Sequence, residues 1–385
     1  MMEHLLNQRV RDIQMSGIRK FAMIAAEYTD AISLTLGQPD FPTPQHIKTA
    51  GQTAIANNHT SYTPNAGLPA LRKAASAFLD TKYGLSYSPD TEIIVTNGAS
   101  EALDIALRTI LAEGSEVLLP GPIYPGYEPL ITMCGAKPVY LDTTETGFRV
   151  TGDMVRQALT DQTRCLILPS PSNPTGVVQD AASLQEIAEV LRERDVFVIS
   201  DEIYSELLYE STHASIASIP HMRDKTIVIN GLSKSHSMTG WRIGFTFAPE
   251  YITKQMVKVH QYNAACAASV SQYAALEALT GGLDDASPMR DEYRKRRDFV
   301  CERLVEMGFD VVVPGGAFYI FPSIKKFGLS SFDFATRLLE QGRVAVVPGV
   351  AFSPLGEGFI RISYAASMEQ LQEAMERLAK FMKSL

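Results

Sequence analysis

Cysteine is scarce in this chain and nowhere paired. Cys134, Cys165, Cys266 and Cys301 stand alone among 385 residues, with neither metal-ligand spacing nor a disulfide framework. Reduced, mostly buried thiols are therefore expected, and no metal. Long apolar runs are missing as well. The first twenty residues are interrupted by Glu3, Arg9, Arg11 and Asp12, which leaves no signal peptide or membrane span and makes a cytoplasmic setting the expectation. Positive charge is not massed anywhere. The net charge is −8, and the densest basic run, Arg294-Lys-Arg-Arg297, lies in a helical pattern and reads as a solvated face. Nucleic acid is accordingly not expected as a partner. The dinucleotide pattern G-x-G-x-x-G is absent from the glycine turn at residue 98, and the chain has no P-loop G-x-x-x-x-G-K-[ST], so both nucleotide readings lose support.

What is present is an alternation of helical patterns with short β-branched runs. Strand-like segments cover residues 92–96, 116–119, 137–141, 164–168, 196–200, 225–229 and 242–247, with amphipathic helices such as 100–111 and 181–194 between them. Repeated β-α-β units predict an α/β fold with a mostly parallel seven-stranded sheet covered on both faces. After Gly281-Gly282 the pattern changes. A long helix (289–307), strands at 318–321, 344–347 and 359–363, and helices at 331–341 and 368–383 suggest a smaller α+β domain. The expected division is a large domain of 50–280 and a small one of 1–49 with 281–385. The first forty residues, which carry no strand series, are expected to pack across the interface.

Several chemically useful residues fall just beyond these strands. Lys234 follows the run ending at Ile229, with hydroxyls at Ser233 and Ser237 and a cation at Arg242. Such a lysine can bond an aldehyde cofactor through its amine while its neighbours hold a phosphate. Gly98, Ala99 and Ser100 form a turn into a helix, where free N–H groups bind anions. The loop Pro120-Gly-Pro-Ile-Tyr-Pro-Gly-Tyr127 is stiffened by three prolines and can fix Tyr124 as a flat surface against a ring. Asn173 stands in the proline-locked loop after residue 168 as an amide donor. Asp201 and Tyr204 follow the next strand, an acid that can pair with a protonated ring nitrogen and a phenol that can donate to a phenolate. Each has a plainer reading when taken singly: a helix cap, a loop tyrosine on the core, a capping aspartate, a solvated lysine. Their convergence on successive strand ends favours one site, where open α/β sheets place their chemistry.

In this order the motifs resemble those of the pyridoxal-phosphate-dependent aminotransferases of fold type I, class I/II. The similarity runs from Gly37-Gln-Pro-Asp-Phe41 through Ser61-Tyr-Thr-Pro64, Ser172-Asn-Pro-Thr-Gly176 and Ser233-Lys-Ser-His-Ser-Met-Thr-Gly-Trp-Arg242 to Arg361-Ile-Ser-Tyr364. The resemblance implies that Lys234 holds pyridoxal 5′-phosphate and later carries the proton. It implies that Asp201 meets the ring nitrogen, that Tyr204 and Asn173 meet the phenolic oxygen, and that Tyr124 stacks on the ring. Ala99, Ser100, Ser233 and Arg242 would take the phosphate, joined by Tyr62 from the second subunit of a homodimer. Arg361, and Gly37 through its backbone, would take the substrate α-carboxylate. Relatives often carry a hydroxyl three residues before the lysine, where this chain has Gly231.

One branch of the family reads a distal carboxylate with a partner-subunit arginine after the lysine motif. No arginine occurs between Arg242 and Arg290. The whole chain is most similar to bacterial enzymes acting on N-acetyl-LL-2,6-diaminopimelate in lysine biosynthesis, with aromatic and aspartate aminotransferases close by. The resemblance therefore implies amino-acid and 2-oxo-acid substrates, with 2-oxoglutarate as one. A carbon–sulfur β-lyase on the same fold is the alternative, against which the run Met238-Thr-Gly-Trp-Arg242 speaks. A PLP-sensing regulator would need a DNA-binding domain ahead of motifs that already begin at Gly37.

Overall fold

A computed structural model describes residues 2–385. A first short strand, β1 (Ile32–Ser33), precedes seven strands that form one sheet: β2 (Ile93–Thr96), β3 (Glu116–Gly121), β4 (Lys137–Asp142), β5 (Thr163–Pro169), β6 (Phe197–Asp201), β7 (Thr226–Gly231) and β8 (Gly244–Phe247). Their spatial order is β2-β8-β7-β6-β5-β3-β4. Only β8 runs antiparallel to its neighbours β2 and β7. The sheet thus has the mostly parallel, seven-stranded form that the alternating pattern predicts.

Both faces of this sheet are covered, which is why its strands read as unbroken apolar runs. The two-residue period of a strand sends Ile227 and Ile229 to one face, where they join Leu103, Ala106 and Met256 of the helices Ala99–Ile110 and Glu250–Ala264. Val228, between them, points to the other face and meets Phe245, Phe247 and the helices Pro69–Tyr83 and Ser269–Thr280. Further along that face, Leu166, Leu168 and Val198 pack under the helix Ala181–Leu191.

The rest of the chain builds a second apolar centre. Strands β9 (Tyr319–Ile320), β10 (Val344–Ala345), β11 (Val347–Pro348) and β12 (Ile360–Ser363) follow the 21-residue helix Ala286–Glu306. The sheet order is β11-β12-β9, and β10 pairs instead with β1. The expected strand 344–347 is therefore split at Val346 between two sheets. The N-terminal residues, read as free of strands, do contribute β1. The expected helix 331–341 is also divided, into Ser331–Arg337 and a π-helical turn, Leu338–Gly342. Ser367 closes a capping box with Gln370 at the start of the last helix, Met368–Met382. Phe21 and Leu34 share one core with residues from 289 to 381.

The basic run at 294–297 is a solvated face only in its first half, Arg294 and Lys295. Arg296 and Arg297 are buried. Arg296 donates to Asp40 at 2.8 Å and lies over the Phe41 ring, while Arg297 pairs with Glu210 at 2.5 Å and lies over Tyr209. Long guanidinium stems can be buried where carboxylates and ring faces meet them, and these come from segments far away in sequence.

Candidate active site

The C-terminal ends of β3, β5, β6 and β7 open into a cavity of about 560 Å³, closed on the other side by residues of the N-terminal helix, β9 and β12. Gly37, Ala99, Ser100, Tyr124, Asn173, Asp201, Tyr204, Ser233, Lys234, Arg242 and Arg361 all line it. Tyr62 does not: its side chain is 87% exposed, outside the cavity of its own chain.

One end is an anion cradle. The helix Ala99–Ile110 starts at Gly98, whose φ of 81° suits glycine. No side chain caps this helix. The first-turn carboxylate, Glu101, is drawn away to the Asn97 N–H at 2.6 Å and to His260 at 2.9 Å. The N–H groups of Ala99 and Ser100 are thus left to the cavity. Arg242 reaches the same point because β8 is antiparallel, so its leading end lies at the edge where the parallel strands finish. The Arg242 guanidinium donates to the carbonyl of Thr239 at 3.1 Å and to that of Asn97 at 3.4 Å. Gly244 lets the two segments touch: a Cβ there would stand 2.5 Å from the Gly98 carbonyl carbon and 2.6 Å from the Ala99 nitrogen. Ser233 lines the cradle. Ser237 does not, since its hydroxyl turns to the Met289 sulfur at 3.4 Å. Thr239 stands in the cavity wall in its place. Gly231 also lies off the cavity, and a Cβ at this position would meet the Ile243 carbonyl oxygen at 2.9 Å. A side chain here has no room.

At the floor, Lys234 leaves a short helix, Leu232–Ser235, directly after β7 and donates to the Gly37 carbonyl at 2.5 Å. Burial, reinforced by Arg242 and Arg361, lowers its pKa to about 8. Asp201 ends β6. It accepts from the Tyr127 hydroxyl at 2.6 Å and from the Ile203 N–H at 3.3 Å, but hydrogen-bonds to no cation. Burial raises its pKa, against the pull of Tyr127. Tyr204 shares a 2.8 Å hydrogen bond with the Tyr319 hydroxyl, and burial holds its phenol well above the ordinary range, so it remains a donor at neutral pH. The Tyr124 ring lies across Gly126, where a Cβ would come within 2.3 Å of it, and meets Tyr127 edge-on.

The other end is held by Arg361. It lies on β12, the central strand of its sheet, and is 1% exposed. Its guanidinium donates to Asn173 Oδ1 at 3.0 Å and to the Thr35 carbonyl at 2.7 Å, and Nε has no partner among the described residues. The Tyr319 and Phe352 rings lie against it at 4.5 and 5.0 Å. Every partner is neutral. A buried guanidinium without a carboxylate is costly, and the arrangement is complete only when an anion arrives.

Tyr127, Tyr319, Thr239 and Arg19 also belong to this cavity, although the sequence reading gives none of them a role. Tyr127 stands three residues after Tyr124 in the same proline loop, which is the signal that could have found it. Tyr319 lies within an apolar run that reads as core, and Arg19 in a stretch without strand pattern.

These residues fit pyridoxal phosphate: a cradle for its phosphate, a ring face, a buried carboxylate short of a cation, and a free amine. The comparisons agree. Residues 29–378 match the family described as aminotransferase class I and II. The chain is 59% identical over 380 residues to a probable N-acetyl-LL-diaminopimelate aminotransferase of Bacillus subtilis, covering 99% of this chain and 96% of that protein. It is 45% identical to an aspartate aminotransferase of Pyrococcus abyssi, with 98% of each covered. Among solved structures, an aromatic aminotransferase from Pyrococcus horikoshii superposes with a TM-score of 0.90 at 45% identity, over 95% of this chain and 99% of that one. With the match spanning all three sheets and most of the cavity lining, the chain belongs to the class I and II aminotransferases, enzymes that use pyridoxal phosphate to move amino groups.

Proposed function

We propose that this aminotransferase moves the α-amino group between N-acetyl-LL-2,6-diaminopimelate and 2-oxoglutarate, in lysine biosynthesis. The B. subtilis relative, whose name carries that substrate, supports this choice over the aspartate and aromatic specificities in the names of more distant relatives. The observation that carries the site reading is the buried Arg361, which no carboxylate of the chain meets, in one cavity with a lysine whose pKa is lowered to about 8.

Pyridoxal phosphate, when bound, supplies an aldehyde and a protonated ring that accepts electron density from the substrate Cα. The remaining work falls to the protein. Ala99, Ser100, Ser233 and Arg242 hold the phosphate, with Tyr62 reaching it from the second copy of a homodimer. Tyr124 packs on the ring face. Asp201 keeps the ring nitrogen protonated, while Tyr204 and Asn173 donate to the phenolic oxygen. Arg361 grips the α-carboxylate with two parallel donors, and the Gly37 backbone completes that grip. Lys234, as a neutral amine, would take the proton from the substrate Cα and carry it within the site. A pKa near 8 keeps a useful fraction of neutral amine at neutral pH. The sheet core and the cluster that joins Phe21 and Leu34 to residues 289–381, with Tyr204, Leu207 and Tyr209 at their boundary, support a large domain of 50–280 and a small one of 1–49 with 281–385. The four free cysteines agree with a cytoplasmic setting.

Lys234→Ala tests the reading directly. Reduction with borohydride should fix cofactor to the native chain and not to the variant, measured by mass; cofactor still fixed to the variant would defeat it. A panel of amino donors against 2-oxoglutarate tests the substrate, and a preference for aspartate or phenylalanine over the acetylated diamino acid would reassign it.

A further inference from the structure

Behind the anion cradle two helices meet at a buried polar contact that the reaction described above does not use. The helix Glu250–Ala264 lays Ile252, Met256 and His260 along one ridge at i, i+4 spacing. Ile252 and Met256 pack into the apolar cluster that holds Leu103, Ala106 and Leu107 of the helix Ala99–Ile110. The third position of the ridge is a histidine, and it is fully buried. Its Nδ1 meets Glu101 Oε1 at 2.9 Å, while Nε2 has no partner among the described residues. An ionised carboxylate only accepts, so Nδ1 carries the proton. Burying a polar ring with one nitrogen unpaired is costly, and the single bond to Glu101 offsets that cost.

Glu101 is the third residue of its helix, so its charge stands beside the phosphate cradle. In a capping box a glutamate here would take the N–H of the residue before the helix. That N–H, of Gly98, is spent on the Thr96 carbonyl at 2.8 Å. Glu101 reaches one residue further back instead. Its Oε2 accepts from the Asn97 N–H at 2.6 Å and from the Asn97 side-chain amide at 3.0 Å, and the Asn97 carbonyl in turn accepts from Arg242 at 3.4 Å. Burial would raise the Glu101 pKa, but the bonds from His260 and Asn97 outweigh it and hold the carboxyl below its ordinary value. The group is therefore ionised at neutral pH. An anion in the first turn of a helix competes with a bound phosphate for the same N–H groups and the same dipole. Asn97 holds one oxygen of Glu101, and His260 holds the other.

We propose that His260 is a positioning residue for cofactor binding: by holding Oε1 of Glu101 against the neighbouring helix, it keeps that carboxylate off the N–H groups of Ala99 and Ser100. The proposal rests on the phosphate reading of the cradle and explains how a helix with an acid in its first turn can still receive an anion. Neither His260 nor Glu101 lines the cavity, so the ring acts through the carboxylate alone. When the ring is lost, Ala99, Ser100, Ser233 and Arg242 stay in place, and a freed negative charge stands next to them.

The test compares pyridoxal 5′-phosphate with pyridoxal, which has the same aldehyde and ring but no phosphate. Both are titrated into the full chain after removal of cofactor, and the dissociation constant of pyridoxal divided by that of the phosphate ester isolates the cradle. In His260→Leu this ratio should fall about ten-fold, the range of one charged hydrogen-bonding contact. His260→Asn, whose side-chain amide can replace the Nδ1 donor, should recover most of it. The double variant Glu101→Gln/His260→Leu has no carboxylate to restrain, and its ratio should return to near native. A mere tie between the helices would leave the double variant as weak as His260→Leu. That result, or an unchanged ratio in His260→Leu, would overturn the positioning role and leave the cradle intact. Should His260→Leu not fold, Glu101→Gln alone decides: a ratio at or above native is expected, and a fall would overturn the role. Native chain that binds both compounds equally would overturn the phosphate reading of the cradle, and the proposal with it.

Discussion

At one end of the cavity, Ala99, Ser100, Ser233 and Arg242 come from the edge of a single seven-stranded sheet. At the other end, Thr35, Gly37, Tyr319 and Arg361 come from segments as far apart as 326 positions, joined by packing and a few hydrogen bonds. The first end is made of backbone N–H groups and glycines at strand termini, a rigid frame that needs little tuning. The second depends on whether an N-terminal segment, a three-stranded sheet and a proline loop meet around one guanidinium. The cradle is therefore expected to tolerate side-chain loss and to fail on added volume. The clamp is expected to fail when one polar group is removed.

Arg361→Gln should break the second end most severely. Losing one charged bidentate contact is expected to raise the amino-acid KM by about a hundred-fold while cofactor content stays near native, measured by half-reaction kinetics and absorbance. An equal loss of cofactor would mean that the two ends are not independent. Gly244→Ala attacks the first end. Its methyl would press on the Gly98 carbonyl carbon and the Ala99 nitrogen, which cannot move cheaply. Overpacking of about 1–3 kcal/mol should weaken cofactor affinity by roughly ten-fold and leave the KM ratio between amino acids unchanged.

The lysine between the two ends gives a pH signature. Its folded pKa of about 8 lies below the value of about 10.4 for an unfolded chain. The unfolded state therefore binds more protons between those values, and this group's contribution to stability rises with pH across that window. Without cofactor, Lys234→Met should melt higher than native at pH 7, and the difference should vanish above about pH 10. A gain that persists at high pH would assign the effect to packing. Smallest of all, Tyr319→Phe removes the hydroxyl that meets Tyr204 but keeps the ring under Arg361. A few-fold fall in turnover with unchanged amino-acid KM is expected, the scale of one neutral hydrogen bond.

Legibility in the sequence follows the same division. The strand series, the turn at Gly98, Asn173, Asp201, Tyr204 and the Lys234 motif are local signals, each a short run followed within a few residues by its chemistry. A parallel sheet puts such strand ends side by side, so the strand pattern alone assigns residues 99, 173, 201 and 234 to one site. Ser237 misled because a hydroxyl near the lysine looks the same in sequence whether it faces the cavity or Met289. In the basic run 294–297, Arg296 and Arg297 misled because their carboxylate partners, Asp40 and Glu210, lie far away in the chain.

By itself the sequence determined the alternation of strands and helices, the family and the lysine at the centre, since periodicity and strand-end motifs act over a few residues. Only the tertiary structure decided that Arg361 is buried without a carboxylate partner from the chain, that Tyr319 supports Tyr204, and that Arg19 lines the cavity. Those facts depend on which distant surfaces exclude water together, and no local pattern records that.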